Sequence, residues 1–143
     1  FLNNDFAEGR LVVEGEPIAA ENIQVSVFAV GAENDHVAPW KSVYKIHLMT
    51  NGDTTFVLTS GGHNAGIVSE PGRAGRYYHI HEYKEGEPYL APSHWLDSAE
   101  KRDDSWWMAW HDWLTRQDTL KRVSPPDLDK ALPLAPGTFV MQK

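Results

Sequence analysis

The chain contains no cysteine, which excludes a disulfide framework, a thiolate metal site and a cysteine nucleophile within it. Nor is there an excess of base, since 13 Lys and Arg stand against 20 Asp and Glu for a formal charge of −7. Without a basic block, the electrostatic footprint of a nucleic-acid binder is missing. No apolar run approaches the ~20 residues that a membrane-spanning helix needs, so no membrane span is expected. The opening Phe1-Leu2-Asn3-Asn4-Asp5 turns polar at once, unlike a secretory leader. Internal repeats and low-complexity stretches are absent. The 143 residues fit one domain by the prior of roughly 100–200 residues per domain. They begin without Met, which points to a piece cut from something longer.

What is present reads as an α/β chain. Arg10-Leu11-Val12-Val13 and Glu16-Pro17-Ile18 flank Gly15 and predict a short hairpin. Ile23–Val30 is a nearly continuous apolar run, as a strand buried on both faces requires. Pro39-Trp40 opens a helix whose apolar face is Trp40, Val43, Tyr44, His47 and Leu48. Asn51-Gly52-Asp53 ends it, and Thr54–Thr59 is the next β-branched strand, closed by Gly61-Gly62. Strand, helix, strand is a βαβ unit with parallel strands. Residues 64–95 are rich in Gly and Pro and predict a long surface excursion, with one strand at Tyr77–Tyr83. A strong helix is expected from about Asp104 to Arg122, ended by Ser124-Pro125-Pro126, and the tail with Pro133 and Pro136 should be extended.

The chemistry follows from that topology. In an open parallel sheet the loops after the carboxyl ends of the strands share one rim, where ligands bind. Asp35 stands just past the first core strand and His63 just past the second, so both arrive at the same rim. Together they can form the orienting half of a nucleophile–His–acid triad: the acid fixes the tautomer, and the imidazole takes the nucleophile's proton. The alternative is that both are ordinary polar loop residues. If they are catalytic, the order acid then histidine places the nucleophile upstream of both, as in α/β-hydrolases. The only Ser before Asp35 is Ser26, read as lying inside a strand and lacking a Gly-x-Ser-x-Gly turn. The nucleophile would then precede Phe1.

Several segments resemble one family. Gly31-Ala32-Glu33-Asn34-Asp35-His36-Val37-Ala38-Pro39-Trp40-Lys41-Ser42-Val43-Tyr44 looks like the acid loop of the polyhydroxyalkanoate synthases, most like the class I enzymes that polymerise short-chain hydroxyacyl-CoA. Thr55-Phe56-Val57-Leu58-Thr59-Ser60-Gly61-Gly62-His63-Asn64-Ala65-Gly66 resembles their histidine segment. Ser105-Trp106-Trp107-Met108-Ala109-Trp110 is similar to their tryptophan-rich helix, with Met108 where Pro is usual, and Ala135-Pro136-Gly137-Thr138-Phe139-Val140 to their closing segment. The resemblance implies the C-terminal portion of an α/β-hydrolase-like catalytic domain over residues 1–143, with the nucleophile-bearing part absent. It implies a Cys–His–Asp triad in which Asp35 and His63 are the acid and the histidine. The parent would be an acyltransferase that polymerises (R)-3-hydroxyacyl-CoA and releases CoA, while this chain alone would be inactive. The substrate and growing polyester, the upstream part of the polypeptide and a second copy of the full-length enzyme are the implied partners. No metal or organic cofactor is implied, and the implied location is the cytoplasm, at the surface of polyester granules.

Two rivals remain beside it: a hydrolase of the same fold (an esterase or polyester depolymerase with Ser as nucleophile), and a non-catalytic module that binds granules through its Trp-rich helix. Trp106, Trp107, Trp110 and Trp113 at helical spacing suit either a platform for polymer or, more simply, packing onto the sheet. His79 and His81 share one strand face, but two imidazoles are too few for a metal, and a polar strand is the simpler account. Gly61-Gly62 is followed by no Lys-Ser/Thr, so no P-loop is present. Asp103-Asp104 should complement the dipole of the helix that follows. With only two core strands and a hairpin expected, the sheet should have an open edge and the chain should self-associate.

Overall fold

The strand at Thr54–Thr59 (β4) is buried along its whole length, and the other elements are arranged around it. Alternation sends Phe56 and Leu58 to one face, into a cluster with Tyr44 and Trp95, and Val57 to the other, against Tyr78, Trp106 and Ala109. Two of its buried hydroxyls are satisfied by backbone: Thr54 donates to the Gly52 carbonyl at 3.3 Å and Thr59 to the Gly66 carbonyl at 3.2 Å. The computed structural model describes residues 3–117, 122–125, 127 and 134–142.

Val27–Ala32 (β3) pairs with β4 in parallel, and Tyr77–Tyr83 (β5) lies antiparallel on its other side. Glu100–Asp103 (β6) closes a four-stranded sheet of order β3-β4-β5-β6. Leu11–Val13 (β1) and Glu16–Ile18 (β2) make a separate hairpin, whose two turn residues Glu14 (φ 51°) and Gly15 (φ 89°) are left-handed, as a tight hairpin requires. Trp40–Val43 (α1) lies in the β3–β4 crossover, Pro92–Ser98 (α2) precedes β6, and Trp106–Gln117 (α3) is the tryptophan-rich helix. The fold class is the one the sequence implies: α/β, with a βαβ unit and a Trp-rich helix, in an α/β-hydrolase-like arrangement.

The structure differs from expectation in several local features. The first core strand is shifted, beginning at Val27 and running through Gly31 and Ala32. Each β3 residue faces the β4 residue 27 positions later, so Ile23–Ser26 would have to pair with the turn Thr50–Asp53, while Ala32 still has Thr59. Ser26 therefore lies before the strand and not in it. The crossover helix is α-helical for a single turn and then winds as a 3-10 helix over Tyr44–Leu48. Three residues per turn aligns Val43 with Ile46 and Tyr44 with His47, and leaves Leu48 63% exposed. The strand expected at Tyr77–Tyr83 is present as β5, but the sheet has four strands where two core strands were expected, because β5 joins it beside β4, and β6, which was not expected, follows α2. Asp103 ends β6 and Asp104 lies in the junction, not on the helix. The helix cap is Ser105, whose hydroxyl accepts the Trp107 N–H at 3.0 Å. Residues 118–121, where the helix was expected to continue, and Pro126 and Pro133 lie outside the described residues. In the tail, Phe139–Met141 forms a 3-10 turn where an extended chain was expected.

The two sheet edges differ in kind. β6 reads Glu100-Lys101-Arg102-Asp103, all exposed and all charged, which repels a further strand. β3 reads Val27-Phe28-Ala29-Val30-Gly31-Ala32, and its outer edge has no partner strand among the described residues. We therefore expect the isolated chain to be dimeric or larger in light scattering at high concentration; a monodisperse monomer would contradict this.

His47 gives a second expectation. Its ring lies 4.4 Å from that of Tyr44, 5.6 Å from Tyr83 and 5.9 Å from Phe56 by centroid, and both ring nitrogens are buried without a partner. Burial, reinforced by nearby His81, pushes its pKa down to about 4. The unfolded chain binds this proton at about 6.5, so stability present above that pH is lost as pH falls toward 4. The thermal midpoint should decline between pH 6.5 and 4.5, and His47→Phe should flatten that limb; an unchanged slope in the variant would refute the assignment.

Candidate active site

The parallel ladder does not stop where the strands do. Glu33 N–H donates to the Thr59 carbonyl at 2.9 Å and Asn34 N–H to the Gly61 carbonyl at 2.9 Å. The loop after β3 and the loop after β4 are therefore laced together for two more residues. In that register Asp35 comes opposite Gly62, beside His63.

The side chains meet. His63 Nδ1 lies 2.9 Å from Asp35 Oδ2 across a separation of 28 residues. The other carboxylate oxygen, Oδ1, accepts the Val37 and Ala38 N–H groups, each at 2.8 Å. The Asp35 side chain is 7% exposed, whereas that of His63 is 48% exposed. The Ala38 amide, the His63 contact and the Val37 amide hold the Asp35 carboxyl below its ordinary value of 3.8, against the opposing effect of desolvation. The carboxylate is thus ionised near neutrality and can only accept, so Nδ1 carries the proton and donates. Nε2 is left as the basic nitrogen, and it has no hydrogen-bond partner among the described residues. The ionised Asp35 contact is fully present above the ordinary carboxylate range and is lost as pH falls through its lowered value.

Glycines permit this approach. Gly61 has φ 103°, and a Cβ there would lie 2.6 Å from Arg76 Nη1, which donates to the Ser60 carbonyl at 3.3 Å. Gly66 is buried where the two loops touch: a Cβ would fall 2.8 Å from Ala32 Cβ and 2.9 Å from the Gly62 carbonyl oxygen. The acid loop is also tied to β5, because the Tyr77 hydroxyl donates to Glu33 Oε2 at 2.7 Å. That carboxylate holds the Tyr77 phenol above its ordinary value.

Sequence reasoning missed the two amides on Asp35, the packing role of Gly66 and the contacts of α3 with the histidine loop. Trp106 and Trp113 pack on Phe28 of β3, with centroids 6.3 Å and 5.5 Å away, so this part of the stripe is core. Trp110 is 44% exposed. His79 and His81 share one face of β5, and no third His, Asp or Glu completes a metal set among the described residues. No helix among those residues is long and apolar enough to cross a membrane.

The chain is similar along its length to proteins of known name. The chain is 34% identical, over 93% of its length, to poly(3-hydroxyalkanoate) polymerase 2 of Ectopseudomonas oleovorans. It is 31% identical over its full length to the poly(3-hydroxyalkanoate) polymerase subunit PhaC of Cupriavidus necator and to the poly(3-hydroxyalkanoate) polymerase of Methylorubrum extorquens. The chain is homologous to the polyhydroxyalkanoate synthases. It covers 24% of each of these three proteins, so it spans about a quarter of the length of the curated relatives it matches. No protein-family model matches.

Gly66 offers a direct check on the geometry of the site. Gly66→Ala must displace Ala32 or the Gly62 carbonyl, pushing the acid and histidine loops apart. Overpacking of this kind costs about 1–3 kcal/mol, so the thermal midpoint should fall and the Asp35–His63 contact should lengthen in a structure of the variant. An unchanged midpoint and contact would show that the loops have slack.

Proposed function

We propose that this chain is the C-terminal part of the catalytic domain of a polyhydroxyalkanoate synthase, and that it supplies the Asp and His of a Cys–His–Asp triad. The supporting observation is the 2.9 Å contact between His63 Nδ1 and Asp35, which leaves Nε2 of a half-exposed imidazole without a hydrogen-bond partner among the described residues. Homology to the polymerases supports a CoA thioester as substrate, and we take it to be an (R)-3-hydroxyacyl-CoA. The cysteine belongs to the preceding part of the polypeptide. His63 Nε2 takes the thiol proton, the thiolate attacks the thioester carbonyl, and the departing CoA thiolate recovers the proton from His63. Elongation repeats the base step on the 3-hydroxyl of a hydroxyacyl group, which attacks the acyl-enzyme carbonyl and expels the cysteine thiolate, and that thiolate recovers the proton from His63. By itself this chain should not turn over.

Asp35 best fits an orienting role. Both of its oxygens are already engaged, and its side chain is 7% exposed, so a substrate hydroxyl has little room beside it. In the full polypeptide, His63→Ala should abolish acylation, and Asp35→Asn should slow both acylation and elongation by on the order of 10²-fold or more. Single-turnover acylation of the cysteine by a hydroxyacyl-CoA reads this out; intact acylation in Asp35→Asn would assign Asp35 to the substrate hydroxyl instead. Acyl-enzyme on a serine would mark an esterase or depolymerase. Polymer binding by this chain that is lost in Trp110→Ala but kept in His63→Ala would favour a granule-binding module. Trp106, 8% exposed, is too buried to serve as such a platform.

A further inference from the structure

His63 rides on a loop that buries little of its own. His63, Asn64, Ala65, Ile67 and Val68 are all exposed, and of residues 61–69 only Gly66 and Ser69 are buried. Within the loop, Gly66 N–H donates to the Gly62 carbonyl and Val68 N–H to the Asn64 carbonyl, each at 2.8 Å. These bonds make a single helical turn with His63 at its start. A turn with so little apolar contact belongs to the part of a protein that opens first. A general base, however, must be held to within about 0.5 Å of its working position.

The restraint comes from 40 residues away. Trp106 Nε1 donates to the Gly66 carbonyl at 3.1 Å and Trp107 Nε1 to the Ile67 carbonyl at 2.9 Å. The Ser105 hydroxyl donates to the Ser69 carbonyl while accepting the Trp107 N–H as the helix cap. Three consecutive residues thus bond three carbonyls of one loop. We infer that Ser105, Trp106 and Trp107 are positioning residues for His63, fixing its imidazole against Asp35 by clamping the backbone of the turn that carries it. This rests on the proposed role of His63 as the base, and it goes further in giving the tryptophan-rich segment a function through hydrogen-bond donors as well as ring packing. The two jobs of Trp106 are separable: its ring stacks on Phe28, and a phenylalanine keeps an aromatic ring there while deleting the N–H. Gly66 has no side chain to anchor, so its backbone bonds are its means of attachment; Thr59 Oγ1 supplies a second donor to the same carbonyl at 3.2 Å.

The test uses the full polypeptide, in wild-type form and as Trp106→Phe, Trp107→Phe and Ser105→Ala. Two quantities are read by NMR: the His63 Nδ1–H resonance, and hydrogen exchange at the Gly66 and Val68 amides, with the Leu58 amide in β4 as control. Trp106→Phe should broaden or abolish the Nδ1–H resonance and speed exchange at Gly66 and Val68 about tenfold while leaving Leu58 unchanged. Trp107→Phe and Ser105→Ala should act in the same direction by several-fold. Should Trp106→Phe fail to fold, those two variants carry the test. Positioning is overturned if the resonance and loop exchange stay as in wild type, or if Leu58 exchange accelerates along with the loop, the mark of general destabilisation. Absence of the resonance from wild type would instead sink the Asp35–His63 pair itself, which separates the two failures.

Discussion

Parallel pairing of β3 with β4 is the constraint on which the site depends. Antiparallel neighbours would send the two loops to opposite ends of the sheet, and a shift of register would separate them by 3.2–3.4 Å per residue. Here the register continues past the strands through the Glu33–Thr59 and Asn34–Gly61 backbone bonds, so the strand pairing itself delivers Asp35 to His63. Burial enforces that register. Phe56 and Val57 each have 0% exposure on opposite faces of β4, and a one-residue slip would exchange the faces of every side chain on the moving strand.

Within the pair, the burial asymmetry follows from the chemistry each partner can perform. Asp35 has four local attachments: its carboxylate accepts from two amides and the imidazole, and its backbone N–H donates to the Ala32 carbonyl. It is screened from solvent and held ionised. The imidazole is bonded on one nitrogen only among the described residues, and its side chain is half exposed. An acid so confined can set a tautomer and stabilise an imidazolium, but it is poorly placed to meet a substrate. The histidine is placed to meet one.

Much of this was legible in the sequence, where the signal was periodic or topological. The β4 strand and the hairpin around Gly15 follow from patterns within a few residues of one another, and the βαβ order and the shared rim of Asp35 and His63 follow from the sequence of such elements along the chain. What failed to show depended on partners distant in the chain. β6 is four charged residues with no strand-like alternation, and it is a strand only because Tyr77–Ile80 lies beside it. The start of β3 is set by where its partner's turn ends, which no reading of Ile23–Val30 alone can reveal. The crossover helix departs from its sequence pattern past the first turn because a 3.6-residue period does not describe a segment that winds at three. The Ser105 cap has a signal in the sequence, a Ser ahead of an apolar helix, but Asp103 and Asp104 just before it carry the same kind of signal.

The two hydrophobic clusters flanking β4 end up serving opposite halves of the same pair. On one face, Trp40 lies over Gly31 so closely that a Cβ on the glycine would sit 3.0 Å from Trp40 Cβ. Trp40 also packs against Tyr44, Phe56 and Trp95. The acid loop is thereby fixed at both ends, by β3 and by the start of α1. On the other face, Trp106 and Trp113 close over Phe28, and the indole N–H groups of Trp106 and Trp107 reach the histidine loop. The acid is thus secured from one side of the sheet and the base from the other, with β4 as the shared wall. Interiors packed at crystal-like density transmit small displacements, so a change in either aromatic cluster is felt at the gap between Oδ2 and Nδ1. That link explains why so small a site sits on so large a share of the chain's tryptophan.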